Sequence, residues 1–155
     1  MRFCLLLLLL MAQFWAGDAV AAASSIEGLW ATQDKDAVVQ IYSCDEDEFC
    51  GRFYWLKDED PRSPSRDDNN PDEEKKRRLL CGLKFFGGFE DEGEGDYGSG
   101  WLYSPRHGAR FSASIRLIDV DKLELRGFFV VPFLGESQIW TRTSNTTACP
   151  SFTKQ

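Results

Sequence analysis

The chain of 155 residues carries 25 acidic against 18 basic side chains, a net charge of −7 at pH 7, one histidine and five cysteines. A surface of that sign repels phosphate, which sets nucleic acid and anionic lipid aside as partners. A single histidine also argues against a zinc module, which the cysteine spacings do not match either, and no metal or cofactor is expected.

The first 23 residues read as a cleaved secretory signal peptide. Arg2 gives a positive start, residues 5–11 form an uncharged apolar run, and 20–23 are the small residues VAAA. The run is too short to span a bilayer comfortably, and cleavage is expected after Ala23. The mature chain, 24–155, is then one domain in the periplasm or outside the cell, with no later segment apolar enough to cross a membrane. Export leaves Cys44, Cys50, Cys81 and Cys149, an even number that suggests two disulfides. Of three connectivities, Cys44–Cys50 and Cys81–Cys149 is preferred, with free thiols at 81 and 149 as the alternative. The short loop contributes roughly 2–3 kcal/mol and the long one roughly 4 kcal/mol by chain entropy.

Strand signals dominate the mature chain. EGLWAT opens the domain, then AVVQIYS (37–43) and GRFYWLK (51–57) are β-branched or aromatic. A polar connection with two prolines, DEDPRSPSRDDN, leads to the one predicted helix, over 69–83. There Asn70 caps, Pro71 takes the first helical position, and acidic residues precede Lys75, Lys76, Arg77 and Arg78. GEGDYG (93–98) matches the G-x-G-x-x-G phosphate fingerprint. It precedes a strand, however, and Glu94 and Asp96 would repel a pyrophosphate, so it reads as a flexible hairpin loop. Calcium binding by Asp91, Glu92, Glu94 and Asp96 fits no EF-hand spacing. GSGWLYS (98–104) runs to a turn at Pro105-Arg106-His107-Gly108. FSASIRL (111–117) alternates cleanly, KLELRGFFVV (122–131) returns, and SQIWTRT (137–143) is last. Short strands at near-regular spacing predict an all-β antiparallel sandwich or barrel.

Gly28 and Trp30 on the first strand and Arg142 on the last fit a barrel whose closure brings those strands together, the arginine lying over the tryptophan ring. IEGLWAT, AVVQIYSC, FCGRFYWLKD, DDNNPD, RRLLCGL, FFGGF and LGESQIWTRT, in that order, resemble the bacterial domain-of-unknown-function family 2147 of small exported proteins. The resemblance implies a lipocalin-like barrel of about eight strands and no settled activity. The chain departs from the family pattern at DEDEF and in the tail holding Cys149, so the resemblance leaves the pairing of Cys81 open.

Three functions are expected in descending order. The first is non-enzymatic binding of a small apolar or amphipathic ligand inside the barrel, lined by Phe53, Trp55, Phe111, Ile115, Leu123 and Phe129; the same residues would equally form a plain filled core. The second is an envelope protein-interaction module using FFVVPFLG (128–135), apolar on both strand faces. The third is an enzyme using acidic residues around Asp67, Asp68, Asn69 and Asn70, against which stands ordinary turn and capping chemistry. His107 sits in a turn, and no nucleophile elbow, H-E-x-x-H or P-loop is present.

Overall fold

The computed structural model describes residues 25–144 and 147–149. The expected signal peptide lies outside the described residues. Eight antiparallel strands follow one another: β1 (Gly28–Ala31), β2 (Ala37–Asp45), β3 (Glu48–Leu56), β4 (Lys84–Gly93), β5 (Asp96–Ser104), β6 (Ala109–Asp119), β7 (Lys122–Phe128) and β8 (Glu136–Arg142). Each pairs with its chain neighbours, and β1 also pairs with β8 at Trp30↔Arg142, which closes the barrel. No helix of the described residues is long and apolar enough to cross a membrane.

Where the sequence alternates, the strand is regular. In β6, Ala113 and Ile115 are buried between more exposed neighbours and face Leu125 and its flanking residues on β7. The GEG loop is a tight hairpin. Gly93 pairs with Asp96, and Glu94 and Gly95 both take positive φ (56° and 87°), as a type I′ turn requires. Its glycines serve the turn, and the residues before it form β4.

The helix expected over 69–83 is replaced by a single 3-10 turn, Lys75–Arg77. Asn70 does accept the Asp72 amide, and Lys75 and Lys76 pair with Asp72 and Glu73. Residues 72–78, DEEKKRR, offer no apolar face to bury, so a helix there has only local stabilisation. Arg78 is instead extended (ψ 143°), and a bridge between Arg66 and Leu79 folds 57–83 back on itself.

The disulfides are Cys44–Cys50, across the β2–β3 hairpin, and Cys81–Cys149, which ties the C-terminal tail to the barrel where the Cys149 amide donates to Tyr54 O (2.7 Å).

Aromatic rings fill the centre. Phe86, Phe89, Trp30 and Trp140 are fully buried, with Phe86 edge-on to Phe89 at 5.4 Å and tilted 6.1 Å from Trp140. They fit because glycines face them: a methyl at Gly51 would enter the Phe86 ring, and one at Gly100 the Phe89 ring. Gly100→Ala is therefore expected to cost about 1–3 kcal/mol as overpacking. Adding Phe89→Leu should recover part of that loss, so that the double variant melts in urea above the midpoint that additivity gives. Strict additivity would contradict this packing.

Candidate functional site

The two ends of the barrel differ. One gathers residues 25–27, the β2–β3, β4–β5 and β6–β7 hairpins and the end of β8. Here Trp30 lies under the Arg142 guanidinium, 4.2 Å from ring centroid to Cζ, and its indole N–H donates to Ile26 O (2.8 Å). Arg142 donates to the carbonyls of Val120 (2.7 Å), Glu27 (2.8 Å) and Ser25 (3.0 Å), fastening three segments over the opening. Gly28 has φ 131°, and a Cβ there would stand 2.8 Å from Arg142 Nη1, so the guanidinium needs both the backbone shape and the missing side chain. This end is sealed.

A concavity of about 660 Å³ lies outside it, beside Ser43, Phe49 and six carboxylates of the β2–β3 hairpin and β4. That lining repels anions and offers an apolar ligand almost nothing. Among the described residues no three metal-binding side chains converge.

The opposite end is the mouth, formed by the β1–β2, β3–β4, β5–β6 and β7–β8 connections. Register places Phe53 opposite Val39, Leu102 opposite Phe86, and Phe111 opposite Leu102, all facing inward. Yet each stays only partly buried, so apolar side chains line the mouth above the filled centre. Phe53 stacks on Phe85, centroids 4.0 Å apart. Phe111 meets the His107 ring edge-on at 6.2 Å and the Phe129 ring at 5.7 Å.

Of the six residues expected to line the interior, Phe53 and Phe111 stand at this mouth. Ile115 and Leu123 lie deep in the packed centre, 1% and 0% exposed. Trp55 is half-buried beside a bulge, paired with Val38. Phe129 lies past the end of β7, 70% exposed, and forms part of the rim. Sequence reasoning passed over Leu102, although its parity with Gly98 and Gly100 in GSGWLYS is a usable signal.

The DDNN stretch proves to be a fastening. Asp67 is completely buried. Its Oδ1 accepts from the Tyr103 hydroxyl (2.6 Å), and its Oδ2 accepts from Asn70 Nδ2 (2.8 Å) and from Arg78 Nε and Nη2 (both 2.7 Å). Asn70 Nδ2 also reaches Tyr103 Oη (2.8 Å), and Arg78 lies over the Tyr103 ring, 4.9 Å from its centroid. Asn69 donates to the carbonyls of Pro105 (3.3 Å) and Arg106 (3.2 Å). These contacts clamp the long β3–β4 connection onto β5 and the β5–β6 turn, at the edge of the mouth. Both carboxylate oxygens of Asp67 are occupied, so its chemistry is that of an anchor.

Burial and the adjacent Asp67 carboxylate push the Tyr103 phenol above its ordinary range, and burial followed by Asp91 does the same at Tyr97. The folded state thus keeps protons that the unfolded chain releases near pH 10. This stabilisation is full below pH 10 and is lost as pH rises through the folded values. Urea midpoints measured from pH 9 upward should fall beyond pH 10, and less steeply in Tyr103→Phe. Equal slopes would contradict the assignment.

A closed eight-stranded antiparallel barrel, plugged at one end by a tryptophan beneath an arginine, defines a lipocalin-like protein. Its particular family is given by the sequence: residues 28–142 match the model of DUF2147, described as an uncharacterized protein conserved in bacteria, and the chain belongs to that family. Among solved structures, it is similar to protein HP1028 of Helicobacter pylori, which is described as belonging to the lipocalin family. That match has a TM-score of 0.69 and 18% identity, over 78% of this chain and 84% of that one. At such identity the likeness speaks for the fold alone. No curated protein sequence matches the chain. The disulfides are compatible with an oxidising, extracytoplasmic compartment.

Proposed function

We propose that the protein is an exported binder that takes the apolar part of a small amphipathic molecule onto the inward-facing side chains at the barrel mouth, which serve it as a shallow cup. One observation carries the reading: Phe53, Leu102 and Phe111 face inward at the mouth but remain partly exposed, while the centre and the other end are closed. A short apolar segment laid on these side chains gains about 0.8 kcal/mol per buried methylene. Its polar end would meet Arg106 and His107 in the neighbouring turn.

Titration with a dansyl-labelled medium-chain fatty acid tests this. Phe111→Asp should weaken binding on the order of tenfold, since it puts a charge on the cup wall. Ile115→Val, in the packed centre, should leave affinity unchanged at a small cost in stability, about 1 kcal/mol. Equal affinities in all three proteins, or no binding at all, would contradict the proposal. Export is tested separately by N-terminal sequencing of the protein recovered from the periplasm, where Ser24 should be the first residue.

A further inference from the structure

The β7–β8 connection, residues 129–135, carries the most exposed apolar side chains of the described chain. Phe129 is 70% exposed, Val130 82%, Phe133 78% and Leu134 70%. The loop is also held in shape. Arg126 donates from β7 to Pro132 O (2.7 Å) and Ser137 Oγ (2.8 Å), the Gly135 amide closes a 3-10 turn onto Pro132 O, and Phe129 rests edge-on against Phe111. A loop already ordered with its apolar side chains outward has met most of the entropic cost of presenting them.

The charge of the molecule is polarised about this loop. The runs DEDE at 45–48, EDEGEGD at 90–96 and DVD at 119–121 all lie at the sealed end. Their eleven carboxylates outnumber the chain's whole net charge of −7. At the mouth the signs are mixed; the turn beside the lip contributes the exposed Arg106, and the first turn-side residues of β6 contribute the exposed Arg110, whose guanidinium lies over the Trp101 ring, 4.1 Å from its centroid. Strands β2 to β8, of seven to eleven residues, hold the two ends roughly 20–30 Å apart. That is about three Debye lengths at physiological salt, each about 8 Å. The acidic end is therefore screened from anything the mouth touches. The net charge, which taken alone argues against anionic lipid, is no obstacle in this orientation.

We infer that residues 129–134 are a docking lip that inserts Phe129, Val130, Phe133 and Leu134 into the interface of an anionic lipid bilayer, with Arg106 and Arg110 against the headgroups and the acidic end pointing away. The apolar side chains bury in the acyl boundary, and the arginines add electrostatic attraction that a zwitterionic surface does not supply. This orientation presents the mouth to the bilayer.

Co-sedimentation of the purified protein with vesicles tests the inference. Vesicles of phosphatidylethanolamine with phosphatidylglycerol should bind it, and pure phosphatidylcholine vesicles should bind it several-fold less. The double variant Phe129→Asp/Phe133→Asp should lose on the order of tenfold in partitioning. Arg106→Gln and Arg110→Gln should each lose about fivefold, the scale of one basic side chain at an anionic surface. Unchanged urea midpoints show that the variants are folded. Equal binding by wild type and the double aspartate variant would overturn the inference. So would no binding to anionic vesicles, or a concentration-dependent dimer in sedimentation velocity that Phe133→Asp abolishes while vesicles are ignored. Vesicle binding without uptake of the soluble fatty acid would leave the lip standing and remove the cup reading; the reverse would overturn the lip alone.

Discussion

Trp30→Ala is expected to lower stability by about 3–5 kcal/mol, the scale of a large aromatic truncation in a core. The ring is fully buried, donates its N–H to Ile26 O and supports the Arg142 guanidinium. Removing it opens a cavity at the sealed end and strips the arginine of its platform. Arg142→Ala should cost less, about 2 kcal/mol, because the three carbonyls it serves lie where water can replace it. The two changes remove one shared contact, so the double variant should be less destabilised than the sum. Denaturant melts of the four proteins give the coupling directly, and full additivity would show that the ring and the cation act separately.

Asp67→Ala should be the next most damaging change, at about 3 kcal/mol. Removing one partner from a buried ion pair typically costs 3–5 kcal/mol, because the other charge is stranded. Arg78, 34% exposed, can turn partly toward water, which places the effect at the low end of that range. The Tyr103 hydroxyl and the Asn70 amide lose an acceptor as well. The loss should be local in its signature: amide exchange should rise across 57–83 while the barrel strands stay protected. Asp68→Ala, on an exposed neighbour, should fall within about 0.5 kcal/mol of wild type. Equal effects at 67 and 68 would contradict the fastening.

The barrel was legible in the sequence wherever alternation was clean, as in FSASIRL, and in its first and last strands, where Trp30 and Arg142 stand in register. It was hidden in KFFGGFEDEG. There a register shift where Phe86 and Phe89 meet β3 lets residues three apart both turn inward, so the strand lacks period two and reads as a loop. Capping signals around Asn70 were real, but they nucleate only one turn when no apolar face comes after them. The Asp67 network joins residues more than thirty positions apart, Asp67 to Tyr103, and no spacing rule reaches that far. The cup was only partly readable for the same reason. Parity tells which residues face inward, as it does for both Phe53 and Ile115, but depth along the barrel axis depends on register and decides which of them a ligand can touch.

An amphiphile bound at the mouth over a closed centre leaves a local signature. Backbone amide chemical shifts during titration with the fatty acid test it most directly. The predicted result is a set of perturbations at and around Phe53, Leu102, Phe111 and Phe129, with Trp30, Ile115 and Trp140 unmoved. Perturbations centred on Trp30, Ile115 and Trp140, or an unchanged spectrum at saturating ligand, would contradict it.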